Sequence, residues 1–537
     1  MNIPVNAYTW IMACLPIILL VVLMIKFHWG AAEAAAIGLL VSVITGLTVY
    51  KGSLPLIAGE AAKGVWNALV ILLIIWTAIL LYQVGAETNA FLVIKNGMGK
   101  MLPNELLLVL ALGWVFESFL QGITGFGVPV AVGAPLLIGI GVSPIWAVII
   151  PLLGQAWGNT FGTLGAAWDS LAMTSGMKVG SGPYFQTALW TAIFLFAWDI
   201  VTGLLICWFY GKGKAVKKGF VAVMVLAVIQ GGGEVLLSQV NTTLCCFIPS
   251  VISLVVLMLM GRMKMYSERW EITDSPIMNR KTSSEGEEEK APEGMTLLQA
   301  FLPYILLSAL TLIVLLVGPI NQVLGSFKIG FAFPETVTGY GFVNAASDSY
   351  SPIAPCTHAS MFLFISAMVG MIYYKSKGRV KEGGVGRIFV KSIEMTMPSG
   401  SSVGGLVIMT RVMGVTGQTA VMAQGIANVL GKAYLILAPF VGLLGTFMTG
   451  SNMSSNILFG DFQVTTAKLL SVKEFATLSA QTAGGAIGAA VSPSKIILGT
   501  TTAGILGKEG DVLKKVMVST IPAVIVIGLV VFLVQAL

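Results

Sequence analysis

Long apolar stretches follow one another along almost the whole chain, and most have the length of a membrane-spanning helix. An α-helix needs about 20 apolar residues to cross the hydrocarbon core of a bilayer. Charged residues form only 10% of the 537 residues, against roughly 25% in soluble domains, so a water-soluble fold would lack the polar surface that it needs. The sequence therefore predicts an all-α polytopic membrane protein with about 12 to 14 transmembrane helices.

Two short loops between these stretches are strongly basic, at residues 212–218 and 375–391. Short basic loops stay in the cytoplasm, so both loops are predicted to be cytoplasmic and the C-terminus to lie outside. This assignment accounts for the net charge of +7 without a nucleic-acid partner. We expect a multi-pass protein of a bacterial or archaeal-type cell (inner) membrane. The predicted spans are residues 9–26, 31–50, 65–84, 104–120, 129–160 (one or two spans), 187–209, 219–237, 244–260, 297–317, 360–374, 392–413, 434–449 and 516–535.

The longest hydrophilic stretch divides the chain near its middle. It is rich in charge and includes Glu287-Glu288-Glu289, a composition typical of a flexible linker. The sequence predicts an N-terminal membrane repeat at 1–261, a cytoplasmic charged linker at 262–296 and a C-terminal membrane repeat at 297–537.

One apolar segment in each half is interrupted. The first reads FESFLQGITGFGVPVAV at 116–132, and the second reads GTFMTGSNMSSNILFG at 445–460. Gly and Pro break membrane helices, and a polar cluster is unfavourable in hydrocarbon unless it lines a cavity or binds a ligand. Tight helix packing would also explain the Gly-rich first segment, whereas the polar second segment favours binding.

The two interrupted segments are related by spacing. Phe119 and Gly122 are followed at one constant interval by Phe447 and Gly450, which indicates two sequence repeats. Interrupted apolar segments at matching positions of two halves indicate the binding site of a secondary transporter. The exposed helix ends offer NH groups to an anion and carbonyls to a cation.

At these two segments the chain resembles the lactate permease family, which includes bacterial L-lactate and glycolate permeases. The residues that carry the resemblance are FLQGITGFGVPVAV (119–132), GLLGTFMTGSNMSSNILF (442–459) and Val491-Ser492-Pro493, with weaker matches at 159–162 and 503–511. The resemblance implies a carrier of short 2-hydroxymonocarboxylates, usually proton-driven. It also implies two inverted repeats with re-entrant or broken helices.

Candidate substrate ligands lie at the interrupted segments and at two cationic positions. Arg411 and Lys495 are candidates for the substrate carboxylate because both carry positive charge; snorkelling to the interface is the alternative for Arg411. Hydroxyl and amide side chains would recognise the substrate 2-hydroxyl. The full candidate set is Gln121, Gly122, Thr124, Gly125, Gly127, Asn159, Thr160, Arg411, Gly450, Ser451, Asn452, Ser454, Ser455, Asn456 and Lys495.

Uptake of an anion needs a coupled cation, since each charge that enters against 100 mV faces about 2.3 kcal/mol. Glu117, one helical turn before Gln121, and Asp461 are the candidate coupling acids. Asp169 and Asp199, near the ends of apolar runs, are interpreted as interfacial. The leading hypothesis is proton symport of L-lactate, D-lactate or glycolate; a sodium-coupled transporter of another small carboxylate is the alternative.

Other classes of function have less support. With only two histidines and five scattered cysteines, the sequence predicts no metal centre, no cofactor and no enzyme activity. A passive anion channel would equilibrate its substrate without accumulating it. The expected partners are a small carboxylate and the lipid bilayer, and the sequence leaves the oligomeric state open.

Overall fold

The computed structural model describes residues 3–125, 127–279, 294–341 and 343–536. The N-terminal half is helical, and two short π-helical turns, Ala111–Val115 and Val228–Gly232, join neighbouring helices. Its helices are α1 (Ala7–Ile25), α2 (Ala31–Thr48), α3 (Leu54–Glu87), α4 (Ala90–Met101), α5 (Glu105–Leu110), α6 (Phe116–Ile123), α7 (Val128–Ile138), α8 (Pro144–Gly154), α9 (Gly162–Ser175), α10 (Gly182–Ala227), α11 (Gly233–Leu237) and α12 (Phe247–Met260), with 3₁₀ turns at Ala156–Asn159 and Thr242–Leu244.

The C-terminal half repeats this helical organisation and adds a small β-structure between α14 and α15. Its helices are α13 (Leu297–Leu316), α14 (Gly318–Gly325), α15 (Ala359–Ser376), α16 (Gly384–Thr416), α17 (Gln418–Leu430), α18 (Tyr434–Thr449), α19 (Asn452–Leu469), α20 (Glu474–Gly488), α21 (Pro493–Thr502) and α22 (Glu509–Ala536), with 3₁₀ turns at Pro355–Thr357, Gly431–Ala433 and Ala489–Val491. The strands are β1 (Ile329–Phe333), β2 (Thr336–Val337), β3 (Val343–Asn344) and β4 (Ser347–Ile353), paired antiparallel as β1 with β4 and β2 with β3.

The prediction of an all-α polytopic membrane protein is confirmed. Ten helical stretches of the described chain are long and apolar enough to cross a membrane, and the apolar helices α7 and α8 are shorter. Ten is fewer than the predicted number, partly because one stretch, Gly182–Leu237, is 56 residues long. Its backbone leaves the helical conformation at Gly211 and Lys212, so it has the length for the two spans that were predicted there.

The same order of elements occurs in both halves, from α1 to α10 and from α13 to α22. The packing is reciprocal, and α3 packs against α16 at its centre. Helix α2 packs against α16, and α15 packs against α3 in the same way. Helix α1 likewise packs against α17, and α13 packs against α4. In the same way, α7 packs against α21 and α9 against α19. Helices of the two halves therefore interlock, and their relation as repeats stays a prediction.

Each half contains a hairpin whose tip is set by glycine. The first hairpin turns between α6 and α7, where Gly125 and Gly127 have φ of 55° and 83°, values that favour glycine. The matching spacing of Gly122 and Gly450 predicted a break at Gly122. Gly122 lies inside α6, however, so the first break comes slightly later in the chain. The second hairpin turns at Gly450, with φ of 75°, and Ser451 caps α19 by accepting from the Ser454 N–H at 3.3 Å.

A second helix is broken beside each hairpin. In the N-terminal half α8 ends at Gly154, and Thr163, Leu164 and Gly165 all have positive φ before α9 continues. In the C-terminal half α20 ends at Gly488, and α21 begins after a 3₁₀ turn. The four breaks together leave several helix ends near the centre of the protein.

Helices α18 and α20 touch through their backbones. A Cβ atom added at Gly442 would collide with the carbonyl oxygen of Gln481, and one added at Gly484 would collide with the carbonyl oxygen of Pro439. A Cβ at Gly488 would lie 2.8 Å from Leu443 Cα. Small residues permit this close approach in membrane proteins, so the second hairpin and the neighbouring broken helix form one tightly packed pair.

The first part of the predicted linker packs against the N-terminal half. Trp270 forms a β-bridge with Asn104, Met278 forms one with Val142, and the side chain of Ile277 is buried. Residues 280–293, which include Glu287-Glu288-Glu289, lie outside the described residues. The cytoplasmic placement of this linker stays a prediction.

Candidate functional site

A cavity lies where the first hairpin, the second hairpin and the two broken helices meet. The space free of atoms between its walls is about 340 Å³, part of which is open to solvent, and both halves of the chain line it. The lining residues are Gln121, Gly125, Asn159, Gly162, Thr163, Ala166, Ala167, Gly450, Ser451, Asn452, Met453 and Lys495. The cavity therefore brings together seven of the fifteen candidate ligands predicted from sequence.

Hydrogen bonds join the two halves beside this cavity. Asn159 Nδ2 donates to the carbonyl of Ala486 at 3.1 Å, and Asn452 Nδ2 donates to Thr160 Oγ1 at 3.1 Å. The hydroxyls of Thr160 and Thr482 lie 3.1 Å apart. Because these bonds cross between repeats, the geometry of the cavity depends on both halves staying in register.

Lys495 places a positive charge at the cavity wall. Its side chain is 4% exposed and stands in the first turn of α21, and its Nζ donates to Asn159 Oδ1 at 3.2 Å. Among the described residues no carboxylate forms an ion pair with Lys495. A buried ammonium group without a counter-ion is costly, so this position suits an anionic ligand.

The tip of the second hairpin supplies polar side chains. Asn452 Nδ2 also lies 3.3 Å from Thr482 Oγ1, and Asn456 Nδ2 donates to Thr482 Oγ1 at 2.9 Å. The Oδ1 atoms of both asparagines are buried without a partner within the described chain. These oxygens are acceptors still open to a hydroxyl group or a cation.

The tip of the first hairpin supplies backbone and space. A Cβ at Gly125 would lie 2.7 Å from Thr163 Oγ1, and a Cβ at Gly162 would lie 2.6 Å from the carbonyl oxygen of Gln121. Gln121 Oε1 is buried without a partner among the described residues. Glycine at 125 and 162 therefore lets the chain close tightly around one open acceptor.

A larger vestibule of about 1540 Å³ of free space adjoins the cavity and shares Gly450, Ser451, Met453 and Lys495 with it. Most of its wall was not predicted from the sequence. Its other lining residues are Gly30, Ala31, Ala32, Glu33, Gly127, Met397, Pro398, Ser399, Ser401, Ser402, Val403, Thr449, Ser454, Ser494 and Leu498. The run of serines after Pro398, inside a predicted apolar span, is the signal that would have indicated this wall.

Several predicted ligands do not line the cavity. Gly122 packs against the backbone of Phe247, and Thr124 Oγ1 donates to its own helix at Leu120 O, 3.0 Å away. Ser455 Oγ donates to Gly442 O at 2.8 Å. Thr160 and Asn456 hold other lining residues in place, whereas Gly127 and Ser454 line only the vestibule.

Arg411 is occupied elsewhere. Its guanidinium pairs with Glu60 of α3 at 2.5 Å, and the same Glu60 pairs with Lys63 at 2.6 Å. The aromatic ring of Tyr350, in β4, lies 5.3 Å from the Arg411 guanidinium carbon. Arg411 thus joins α3, α16 and the β-structure rather than lining the cavity.

The two candidate coupling acids occupy different surroundings. Glu117 is fully buried in α6, and neither of its oxygens has a partner within the described chain. It lies against Gly133 of α7, behind the cavity wall. Asp461 lies further along α19, where a Cβ at Gly414 of α16 would be 3.0 Å from Asp461 Oδ2.

Comparison with known proteins gives one consistent result across the chain. A family model described as L-lactate permease matches residues 9–537. An L-lactate permease of Salmonella typhimurium is 26% identical over 94% of this chain and 92% of that protein. The glycolate permease GlcA of Escherichia coli K12 is 25% identical over 97% and 95%. A solved structure, the YdaH transporter of Alcanivorax borkumensis, covers 86% of this chain and 84% of its own with 11% identity and a TM-score of 0.43.

Proposed function

The chain belongs to the L-lactate permease family, and from this premise we propose that it imports a short 2-hydroxymonocarboxylate, L-lactate, D-lactate or glycolate, by symport with a proton. The observation that carries this proposal is Lys495, a buried cation that lines the cavity without an acidic partner among the described residues. A charge-assisted hydrogen bond from Lys495 to the substrate carboxylate would supply the counter-ion that the lysine lacks.

The 2-hydroxyl group of the substrate fits the open acceptors of the cavity. Gln121 Oε1 and Asn452 Oδ1 belong to lining residues and have no donor within the described chain. A hydroxyl group donates one hydrogen bond, and a site with an open buried acceptor disfavours an analogue that lacks the hydroxyl. We therefore expect a preference for 2-hydroxy acids over the corresponding unsubstituted acids.

Glu117 is our choice for the coupled proton. A carboxylate that is buried without a hydrogen-bond partner costs several kcal/mol, and protonation removes that cost. One proton with one monocarboxylate makes transport electroneutral, so the membrane potential no longer opposes uptake. Asp461, which faces α16 rather than the first hairpin, is the second choice.

Sodium coupling is a second candidate, favoured by a specific feature of the second hairpin. Thr446 Oγ1 and Asn452 Oδ1 are both buried without a partner within the described chain. Both approach the face of Gly485, where an added Cβ would lie 3.0 Å from Thr446 Oγ1 and nearer still to Asn452 Oδ1. Neutral oxygens of this kind suit an alkali cation. This hypothesis extends to other small carboxylates as substrates.

The vestibule is proposed to open to the cytoplasm. Arg387, in a basic loop that the positive-inside rule places there, pairs with Glu87 at the end of α3 at 2.5 Å. The end of α3 is then cytoplasmic, and α2 begins on the same side because α2 and α3 each cross once. Since Gly30 and Glu33 line the vestibule, the proposal assigns this structure to an inward-facing form in an inner membrane.

Uptake by the purified protein in liposomes tests the function. Labelled lactate and glycolate are offered with a pH gradient alone, a sodium gradient alone or neither. Proton symport predicts accumulation above equilibrium only with the pH gradient, and sodium symport only with the sodium gradient. Equilibration without accumulation under both gradients would indicate a passive channel and contradict the proposal.

Replacing Lys495 by Gln tests the carboxylate site in the same assay. Loss of a hydrogen bond to a charged group costs about 1.5–3 kcal/mol, so uptake at low substrate concentration should fall about 10- to 100-fold. Lys473→Gln, at an exposed lysine before α20, is the matched control and should transport normally. Normal lactate affinity in Lys495→Gln would exclude Lys495 as the ligand.

A further inference from the structure

A second pair of acids is buried in the N-terminal half, away from the cavity. Asp199 of α10 and Glu234 of α11 are both 0% exposed, and neither is among the residues that line the cavity. The interpretation of Asp199 as interfacial is wrong, because the middle of α10 is enclosed by neighbouring helices. Acidic groups inside a membrane protein are costly and usually serve a function.

Neutral groups hold Asp199 in place. Trp114 Nε1 donates to Asp199 Oδ1 at 2.7 Å. The amide of Gln230, oriented with its nitrogen towards Asp199, lies 3.3 Å from both carboxyl oxygens and accepts from Ser253 Oγ at 3.0 Å. Two side chains, neither of which carries a charge, therefore contact Asp199, and Ser253 holds one of them in place.

Glu234 has no such partners. Both of its oxygens are buried and unpaired within the described chain, and it follows Gln230 by about one helical turn. Helix α11, which contains Glu234, packs against α10, which contains Asp199, and a Cβ added at the neighbouring Gly233 would lie 2.9 Å from Pro249 Cγ of α12. A charged form of both acids would combine repulsion with desolvation.

No base faces the pair from the elements packed around it. The helices α5, α6, α8, α11, α12 and α20, with the two π turns and the 3₁₀ turns at 156–159 and 242–244, contain no Lys, Arg or His. The lysines of α10 lie near its kink at Gly211, more than about three turns from Asp199. Apart from Asp199, Glu234 and these lysines, the titratable groups in these elements and in α10 are Glu105, Glu117, Tyr184, Cys207, Tyr210, Cys245, Cys246 and Glu474.

Both polar contacts to Asp199 come from π-helical turns. Trp114 belongs to the turn Ala111–Val115, and Gln230 belongs to the turn Val228–Gly232. π-helical turns are rare and occur frequently at functional sites, because the wide turn redirects side chains. Two of them aimed at one buried carboxyl group form a built site rather than an incidental cluster.

From these observations, and resting on the proposed proton symport, we infer that Asp199 and Glu234 form a proton-binding site distinct from Glu117. A proton bound at Glu234, whose oxygens have no partner within the described chain, removes the cost of a buried charge beside Asp199, and transport coupled to a pH gradient requires this proton to bind and leave. With no base in the surrounding elements, a proton is the cation that the chain itself can accommodate there.

Buried polar side chains connect this pair with the substrate cavity. Cys246 directly precedes α12, which packs against Gly233 next to Glu234, and a Cβ added at Gly158 would lie 2.7 Å from Cys246 Sγ and 3.3 Å from Gln121 Cγ. Gln121 lines the cavity. The side chains of Cys246 and Gln121 thus lie between the acid pair and the cavity. At this short distance, a ligand in the cavity and the charge of the pair can influence each other.

The test separates substrate exchange from proton-driven accumulation in liposomes. Asp199→Asn and Glu234→Gln remove the titratable groups with little change in shape, and Asp348→Asn in the exposed strand β4 is the matched control. We expect both buried variants to exchange labelled for unlabelled lactate, while accumulation under an imposed pH gradient falls at least about tenfold. Accumulation equal to that of the unmodified protein in both variants would overturn the inference.

The design distinguishes this failure from failure of the proposed function, because a chain that does not carry lactate would show no exchange in the unmodified protein. If the amide variants do not insert, infrared spectroscopy of reconstituted Glu117→Gln decides. The C=O band of a protonated carboxyl group must remain at neutral pH and disappear at high pH. Absence of that band would equally overturn the inference.

Discussion

The two hairpin tips are broken in the same way but present different groups to the cavity. At the first tip the hydroxyl of Thr124 is used within its own helix, and Gly125 contributes only backbone. At the second tip Ser451 and Asn452 both line the cavity with polar side chains. One tip therefore provides close approach and the other provides chemical recognition.

The neighbouring broken helices differ in the same direction. The break in the first turn of α9 contains Thr163, Leu164 and Gly165 with positive φ and contributes no charge. The break before α21 is followed by Lys495, which lines both the cavity and the vestibule. The cavity is thus asymmetric in charge, because its lysine comes from the C-terminal half, whereas both halves contribute uncharged polar side chains.

The largest effect is expected at the polar tip. Asn452→Leu removes two hydrogen bonds, to Thr160 and Thr482, and adds apolar bulk to the cavity wall. Two lost bonds at about 1–1.5 kcal/mol each correspond to roughly a 100-fold loss of uptake, measured as initial rates of lactate entry. Asn428→Leu, at an exposed position of α17, is the control; uptake by Asn452→Leu close to that of this control would remove the second tip from the site.

A smaller effect is expected at the glycine tip. Gly125→Ala places a Cβ 2.7 Å from Thr163 Oγ1 at a φ of 55°, and a left-handed conformation costs an L-residue about 1–2 kcal/mol. We expect about a tenfold lower rate of lactate uptake with normal membrane insertion. Gly182→Ala, where an added Cβ meets no atom within 4 Å, should transport normally. Equal rates in both variants would show that close approach at the first tip is dispensable.

The smallest effect is expected just behind the polar tip. Ser455→Ala removes the bonds to Gly442 O and from Gln481 Nε2 without touching the cavity. Thermal unfolding in detergent should show a loss of about 1 kcal/mol, and lactate affinity should stay within about twofold. A large loss of affinity with unchanged stability would extend the recognition surface beyond Asn452.

Hydropathy identified the apolar helices and missed polar helices that neighbouring helices enclose. α1 and α13 were predicted within a few residues because their surroundings select apolar side chains. α19 and α20 are almost wholly buried yet rich in Ser, Thr, Gly and Asn, since neighbouring helices rather than lipid satisfy these groups. Their composition predicted a binding region but did not predict helices.

The site was predicted where a local break exposes polar groups and was not predicted where the partner is distant in sequence. Gly125, Asn452 and Lys495 lie in segments whose composition alone is unusual for a membrane helix. The pairing of Arg411 with Glu60 joins residues far apart in the chain, and no spacing rule links them. For the same reason the hydropathy pattern could not predict that α5, α8 and α12 enclose Asp199.

The backbone contact between α18 and α20 has a mechanical consequence. Helices that touch at Gly442 and Gly484 have no layer of side chains on which to slide, so the pair resists shear and moves as a block. Any movement of this block would then take place at its outer surface, where Leu437 and Leu444 of α18 are exposed. The speed of the carrier should accordingly respond to the thickness and fluidity of the surrounding bilayer.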